Sequence, residues 1–294
     1  NIYRNRRAIS LVAAIKTLNL GVKHPLAKSW ALENVNLSLE SGKVYGLIGA
    51  NGSGKTTLCN TLKGLIPGVL GGELKGTIEI FGKNIAEFSQ RELVENVALV
   101  FENPYTQLTG TCQTVVEEIA FGLENLGWQR DRIISRTARV IDEMDLKDLA
   151  FRDPLELSGG QRQRVSVASV MAMDTPIIVI DEPTSQLDPA TTEMIFAAIT
   201  KMKQEGKTVL VSENKIDQLV EIADELVVLD NGKVYAVGNA RDILTQAQND
   251  EIRCGFPELF TLSNWLNLDP RWITFAEAKT TVNTILKGKN DNLR

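Results

Sequence analysis

The chain has 294 residues, 43% of them hydrophobic and 23% charged, with a formal net charge of −5. Those proportions are ordinary for a globular protein, and the acidic balance argues against a general affinity for nucleic acid. No apolar run approaches the roughly 20 residues needed to cross a bilayer, and Cys59, Cys112 and Cys254 are too scattered for a metal centre or a disulfide framework, which suits a reducing compartment.

Residues 1–10 carry Arg4, Arg6 and Arg7 without the apolar core of a secretory signal, and read as an N-terminal lead. Three β-like runs follow, Ser10 to Lys16, Trp30 to Glu40 and Val44 to Ile48, separated by polar turns. A helix-like segment, Thr56 to Leu65, leads through the Gly-rich stretch Gly64 to Gly76 into a strand, Gly76 to Phe81. Val97 to Phe101 is a further apolar strand, ending at Glu102-Asn103-Pro104. From about residue 113 to 165, charged and apolar residues recur at three- and four-residue spacing, which predicts helices. Ile177 to Ile180 and Thr208 to Ser212 are continuous apolar runs of the kind found in buried strands. A helical pattern from Lys215 to Ala223 precedes a strand, Glu225 to Leu229, and the turn Asp230-Asn231-Gly232. This order predicts an α/β fold around a parallel-type sheet with a helical insertion. The expected division is a lead over 1–10, a main domain over 11–244 with its helical part at about 104–165, and a less periodic appended unit over 245–294.

Gly49 to Thr57 read Gly-Ala-Asn-Gly-Ser-Gly-Lys-Thr-Thr and fit G-x-x-x-x-G-K-[ST] in full, between an apolar strand and a helix. Glycines let the backbone turn so tightly that N–H groups from Asn51, Gly52, Ser53 and Gly54 onward to Thr57 converge on one anion. The helix N-terminus adds its partial positive charge at the same place. Lys55 is then placed to neutralise β- and γ-phosphates, and the Thr56 hydroxyl to face Mg²⁺. The pattern predicts a nucleoside triphosphate site.

Two further segments narrow the reading: Leu157-Ser158-Gly159-Gly160-Gln161-Arg162-Gln163-Arg164, and Ile177-Ile178-Val179-Ile180 followed by Asp181-Glu182-Pro183-Thr184. With these the chain resembles the ATPase subunits of ABC transporters over about residues 16–240. The resemblance implies a P-loop NTPase core with a mostly parallel sheet, an antiparallel β subdomain, a helical insertion and a small C-terminal unit. It also implies ATP and Mg²⁺ as ligands. Asp181 then has the metal-shell role beside Thr56, and Glu182 orients or deprotonates the attacking water. Ser158, Gly160 and Gln161 open a helix as a second anion site, which in this family completes the ATP site of another subunit in a head-to-tail dimer. Ser185-Gln186-Leu187-Asp188 resembles the loop that carries Asp188 across that interface.

Two positions depart from the family pattern. Where a glutamine is expected after the Val97–Phe101 strand, the chain has Glu102, which can ligate Mg²⁺ but adds negative charge beside the γ-phosphate. Where a histidine is expected after the Thr208–Ser212 strand, alignment gives Asn214, which can hydrogen-bond the γ-phosphate but cannot carry a proton near neutral pH. The chain's single histidine, His24, lies far upstream. It falls where the family places an adenine-stacking aromatic, with Trp30 as the rival for that contact and a surface residue without a role as the third possibility. Slow hydrolysis at an intact binding site is the expectation.

Val100 to Leu108, with Thr114 to Gly127 after it, resembles the energy-coupling factor (ECF) group and its cobalt and nickel uptake relatives. Pro257-Glu258-Leu259 and Ile273 to Ala278 resemble the short C-terminal unit that helps pair two ATPases there. The implied partners are a second ABC ATPase subunit and an integral-membrane subunit docking near Tyr105 to Val116, at the cytoplasmic face of a membrane; an ordinary surface loop is the alternative for that segment. No nucleic-acid partner is expected. The competing function is a soluble ABC ATPase acting in assembly, repair or translation.

Overall fold

The computed structural model describes residues 12–291, so the reading of residues 1–10 as a lead lies outside them. Among the described residues ten strands are formed: β1 (Ile15–Lys23), β2 (Leu32–Leu39), β3 (Val44–Ile48), β4 (Glu73–Ile80), β5 (Lys83–Asn84), β6 (Val97–Val100), β7 (Ile177–Asp181), β8 (Thr208–Ser212), β9 (Glu225–Asp230) and β10 (Lys233–Gly238). They make an antiparallel sheet ordered β2-β1-β4-β5 and a six-stranded sheet ordered β10-β9-β3-β8-β7-β6. In the second sheet only the β9–β10 hairpin is antiparallel. β3, β6, β7 and β8 are buried at every position, as strands covered on both faces must be.

Alternate residues of those strands feed two cores. Val44, Ile48, Ile178, Ile180, Val209 and Val211 face one side, where helices α5 (Val115–Asn125), α7 (Gly159–Met173), α8 (Pro189–Gln204) and α9 (Ile216–Ile222) contribute the other half. Tyr45, Leu47, Ile177, Val179 and Leu210 face the antiparallel sheet and helix α1 (Lys55–Leu62). Shorter helices α2 (Leu65–Gly68) and α3 (Gln90–Asn96) precede β4 and β6, α4 (Pro104–Gln107) lies between β6 and α5, and α6 (Arg130–Glu143) follows α5 in the helical segment. Beyond β10 lie α10 (Ala240–Asn249), α11 (Glu258–Trp265) and α12 (Phe275–Asp291). Among the described residues no helix is long and apolar enough to cross a membrane.

Of the first strand's sequence reading, Ser10 to Lys16, residues Ser10 and Leu11 lie outside the described residues, and within them the strand extends further along the chain. It runs from Ile15 to Lys23 because a bulge between Leu18 and Gly21, with Asn19 at φ 49°, breaks the two-residue alternation without ending the pairing. The single helix read over Thr56 to Leu65 is two, α1 and α2, parted at Gly64, whose φ is 78°. Helix α7 runs past residue 165 to Met173; its second half is almost wholly buried, so no polar stripe marked it. Helix α8 follows the Asp188-Pro189 start signal, a cap residue and then a proline at the first helical position.

Candidate functional site

β3, β8, β7 and β6 are neighbours and parallel, so their C-terminal ends deliver four loops to one edge of the sheet. Gly49 follows β3, Glu102 follows β6, Asp181-Glu182 ends β7 and Asn214 follows β8. The phosphate loop turns here on glycines held at positive φ, and at Gly49 no side chain fits. A Cβ on Gly49, at φ 153°, would stand 2.2 Å from the Leu229 carbonyl oxygen and 2.7 Å from Ser53 Oγ. At Gly54, with φ 106°, it would meet Leu32 Cδ2 at 2.6 Å. The β9–β10 turn braces the loop, the Gly232 N–H donating to the Ser53 carbonyl at 3.0 Å.

A cavity of about 460 Å³ opens above this loop. Of the residues singled out in the sequence, His24, Asn51, Gly52, Gly54, Lys55, Thr56, Thr57, Glu102, Glu182 and Asn214 line it. Ser53 and Asp181 lie buried rather than on its lining. Lys55 is buried, its Nζ donating to the Gly49 carbonyl at 2.9 Å and standing 3.6 Å from Glu182 Oε1. His24 Nε2 sits 2.9 Å from the Thr57 hydroxyl. Trp30 is apart from the cavity, in a crevice with Lys75, whose Nζ lies 4.1 Å from the ring centroid. Position therefore favours His24 over Trp30 for any contact with a bound base. A larger cleft, about 730 Å³ between α10, α11 and the loop after α11, carries none of these groups.

Two carboxylates, Glu102 and Glu182, line the cavity, and a third, Asp181, lies buried behind it. Glu182 adopts φ 42°, a left-handed conformation costly for a residue with a Cβ. Its Oε2 accepts from Asn214 Nδ2 at 2.8 Å. The Glu102 carboxyl is pushed above its ordinary value by desolvation first, then by the charges of Glu182 and Asp181. Burial likewise raises Asp181, with the neighbouring Thr56 and Ser212 hydroxyls opposing it. Asp181 Oδ1 is buried without a protein partner. An unpaired buried carboxylate oxygen near a threonine hydroxyl and a second carboxylate is a hard-oxygen donor set that would suit Mg²⁺. Among the described residues the protein's own side chains form no complete metal centre. Cradle, lysine, carboxylates and amide together can hold a polyphosphate and present Glu182 to water at its terminal group.

Sequence reasoning missed Glu213 and Gln107. Glu213 is buried, taking a hydrogen bond from the Thr184 hydroxyl at 2.6 Å and others from the N–H groups of Asn214 and Lys215 at 2.8 and 3.1 Å. It ties the loop after β8 to the loop after β7. The available signal was an acid directly ending an apolar strand, which needs buried donors. Gln107 is the nearest glutamine to Glu102, but its side chain turns inward. Its Oε1 accepts from the Phe101 N–H at 3.0 Å and its Nε2 points to the Leu99 and Ser166 carbonyls, so it does not fill the place of the expected glutamine.

Ser158, Gly160, Gln161 and Asp188 are not part of the cavity. Ser158 and Gln161 form a reciprocal capping box at the start of α7. Asp188 caps α8, accepting from the Thr191 N–H and hydroxyl at 3.0 and 2.7 Å, and these bonds hold its carboxyl below the ordinary value. A Cβ on Gly160 would lie 3.7 Å from Asp188 Oδ2, so the two helix starts form one exposed face. Tyr105, more than half exposed, lies near that face, with the Arg162 guanidinium 4.1 Å from its ring centroid.

Comparison with known proteins is consistent across sequence and structure. A family model described as ABC transporter matches residues 32–185. The chain is 40% identical over 235 residues to a Pyrococcus abyssi protein assigned as an ABC transporter ATP-binding protein, covering 80% of this chain and 83% of that one. It is 36% identical over 232 residues to the energy-coupling factor transporter ATP-binding protein EcfA1 of Lacticaseibacillus paracasei, covering 79% and 81%. Among solved structures, cbiO1 from Clostridium perfringens, part of the ABC transporter complex cbiONQ, superposes with a TM-score of 0.68 at 26% identity, covering 82% of this chain and 94% of that one. The dimeric ATP-binding cassette MJ0796, bound to ADP and Pi, gives 0.67 at 26% identity, covering 77% and 99%.

Proposed function

The chain belongs to the ABC transporter family as an ATP-binding subunit of ECF/CbiO-like type, an ATPase, and we propose that it powers import of a micronutrient from a cytoplasmic position on a membrane complex. It pairs with a second ABC ATPase and docks an integral-membrane subunit through the Tyr105 to Val116 segment, with residues 245–294 as a dimerisation unit. The relatives are transporter proteins, which favours this reading over a soluble repair or translation ATPase.

The phosphates sit on the N–H groups of Asn51 to Thr57 with Lys55 against the β- and γ-groups. His24 and Thr57 flank the nucleoside side of the cavity. Thr56, Asp181 and Glu102 are the residues that would hold Mg²⁺, which when bound screens phosphate charge. Glu182 is the catalytic base or water-orienting group.

The observation that carries the finer reading is the wall opposite Lys55, where Asn214 holds Glu182 and Glu102 adds a further carboxylate. Asn214 cannot carry a charge to the terminal phosphate, and its amide is already engaged by Glu182. We infer that the chain's own site binds ATP firmly and cleaves it slowly. Ser158, Gly160, Gln161 and Asp188 then serve the partner's ATP from the exposed face. In the assembled transporter, Ser158→Arg in this chain should abolish turnover, whereas Glu182→Gln should leave most of it. Equal losses from the two variants would contradict the asymmetry.

A further inference from the structure

Helix α9 begins two residues after Asn214, and the C-terminal helices hold it at two points. Asp217 Oδ1 accepts from the backbone N–H of Glu258, the first residue of α11, at 2.7 Å. Glu221 Oε1 accepts from the N–H of Phe275, the first residue of α12, at 2.8 Å. Helix α11 has no side-chain cap of its own, since Pro257 stands at the cap position. Each C-terminal helix thus has an otherwise unpaired N–H satisfied by a carboxylate of α9, where the helix dipole favours negative charge. Asp217 and Glu221 are exposed and four residues apart, on one face of α9. The opposite face, Ile216, Leu219 and Val220, shares a core with Cys254, Phe260 and Ile273. Arg241 of α10 pairs with Glu277 of α12, whose other oxygen takes the Ile273 N–H at 2.8 Å, so the C-terminal helices are linked to one another.

At its other end α9 is joined to the chemistry. Glu213 fixes the Asn214 and Lys215 N–H groups, and the Asn214 amide holds Glu182. We propose that α11 and α12 form a clamp on α9, and that Asp217 and Glu221 are positioning residues that set Asn214 against Glu182. Displacing the clamp shifts α9 and moves the amide relative to the carboxylate. The C-terminal helices thereby act on the hydrolytic site as well as lying beside it. The inference rests on the reading that Glu182 and Asn214 act on ATP.

The test is hydrogen–deuterium exchange on the full chain, comparing wild type, the Asp217→Ala/Glu221→Ala double variant and the conservative Asp217→Asn/Glu221→Gln variant. Removing both caps should speed exchange about tenfold at α11 and α12 and also over residues 213–222, from the ordinary strength of a helix cap. The conservative variant, which keeps an acceptor at each position, should restore wild-type exchange to within about twofold. Acceleration confined to α11 and α12, with residues 213–222 unchanged, would overturn the proposal. Should the double variant not fold, Glu221→Ala alone carries the same comparison. Exchange is read on the isolated chain, so an error in the transporter assignment leaves these outcomes intact.

Discussion

Replacing Glu102 by glutamine removes one negative charge from the wall facing Lys55 while keeping shape and an oxygen ligand. Glu102 and the phosphate loop line one cavity of about 460 Å³, and for a terminal phosphate held there a charge roughly 5–10 Å away corresponds, at an effective dielectric near 20, to roughly 2–3 kcal/mol of repulsion. Glu102 is exposed, so solvent screening brings the net gain down to about 1 kcal/mol, or about fivefold in affinity. Calorimetric titration with ATP in a chelator should therefore show Glu102→Gln binding about fivefold tighter at pH 7.5. With Mg²⁺ present the gain should shrink, because the cation offsets the carboxylate. The pH dependence has a definite sign. The Glu102 carboxyl already sits above its ordinary value of 4.5, and a triphosphate raises it further, so binding takes up a proton in mildly acidic solution. Wild-type affinity should approach that of the variant as pH falls through the raised carboxyl value, and the gap should open as pH rises. Unchanged or weaker chelator-ATP binding by the variant at pH 7.5 would refute the reasoning.

Restoring a histidine by Asn214→His, together with Glu102→Gln, should raise ATP turnover at least about tenfold with affinity changed less than about threefold, as a steady-state ATPase assay would report. Gly49→Ala should lower the melting temperature by several degrees and abolish ATP binding, because its Cβ would stand 2.2 Å from the Leu229 carbonyl oxygen. Glu102→Gln should also stabilise the nucleotide-free chain at pH 7: a carboxyl whose value is raised on folding contributes stability below its unfolded value and loses it as pH rises through the folded one. That difference in melting temperature should vanish by about pH 4, and a gap that persists there would point to packing instead of charge.

The parallel core was legible because β3, β7 and β8 are unbroken apolar runs whose sequence ends coincide with strand ends to within a residue. β1 was misplaced because its bulge at Asn19 interrupts the alternation from which strands are read. Helix α7 was cut short because burial on nearly every side erases helical periodicity. At the site, the phosphate loop could be read from residue order alone, since its chemistry is local. The Asn214–Glu182 contact could not, because it joins loops 32 residues apart. Glu213 was hidden for the same reason: its donors come from Thr184 and from its own neighbours' backbone. The inward turn of Gln107 depends on α7 packing, which no local pattern reveals.

The central claim is that this site holds ATP firmly and cleaves it slowly. The direct measurement is ATP affinity and turnover of the isolated full chain with Mg²⁺ at neutral pH, with Glu182→Gln as the background control. The account expects micromolar or tighter binding with turnover below about 0.1 s⁻¹, well under the roughly 10 s⁻¹ typical of enzymes. Turnover near 10 s⁻¹ by the chain alone, lost in Glu182→Gln, would contradict it.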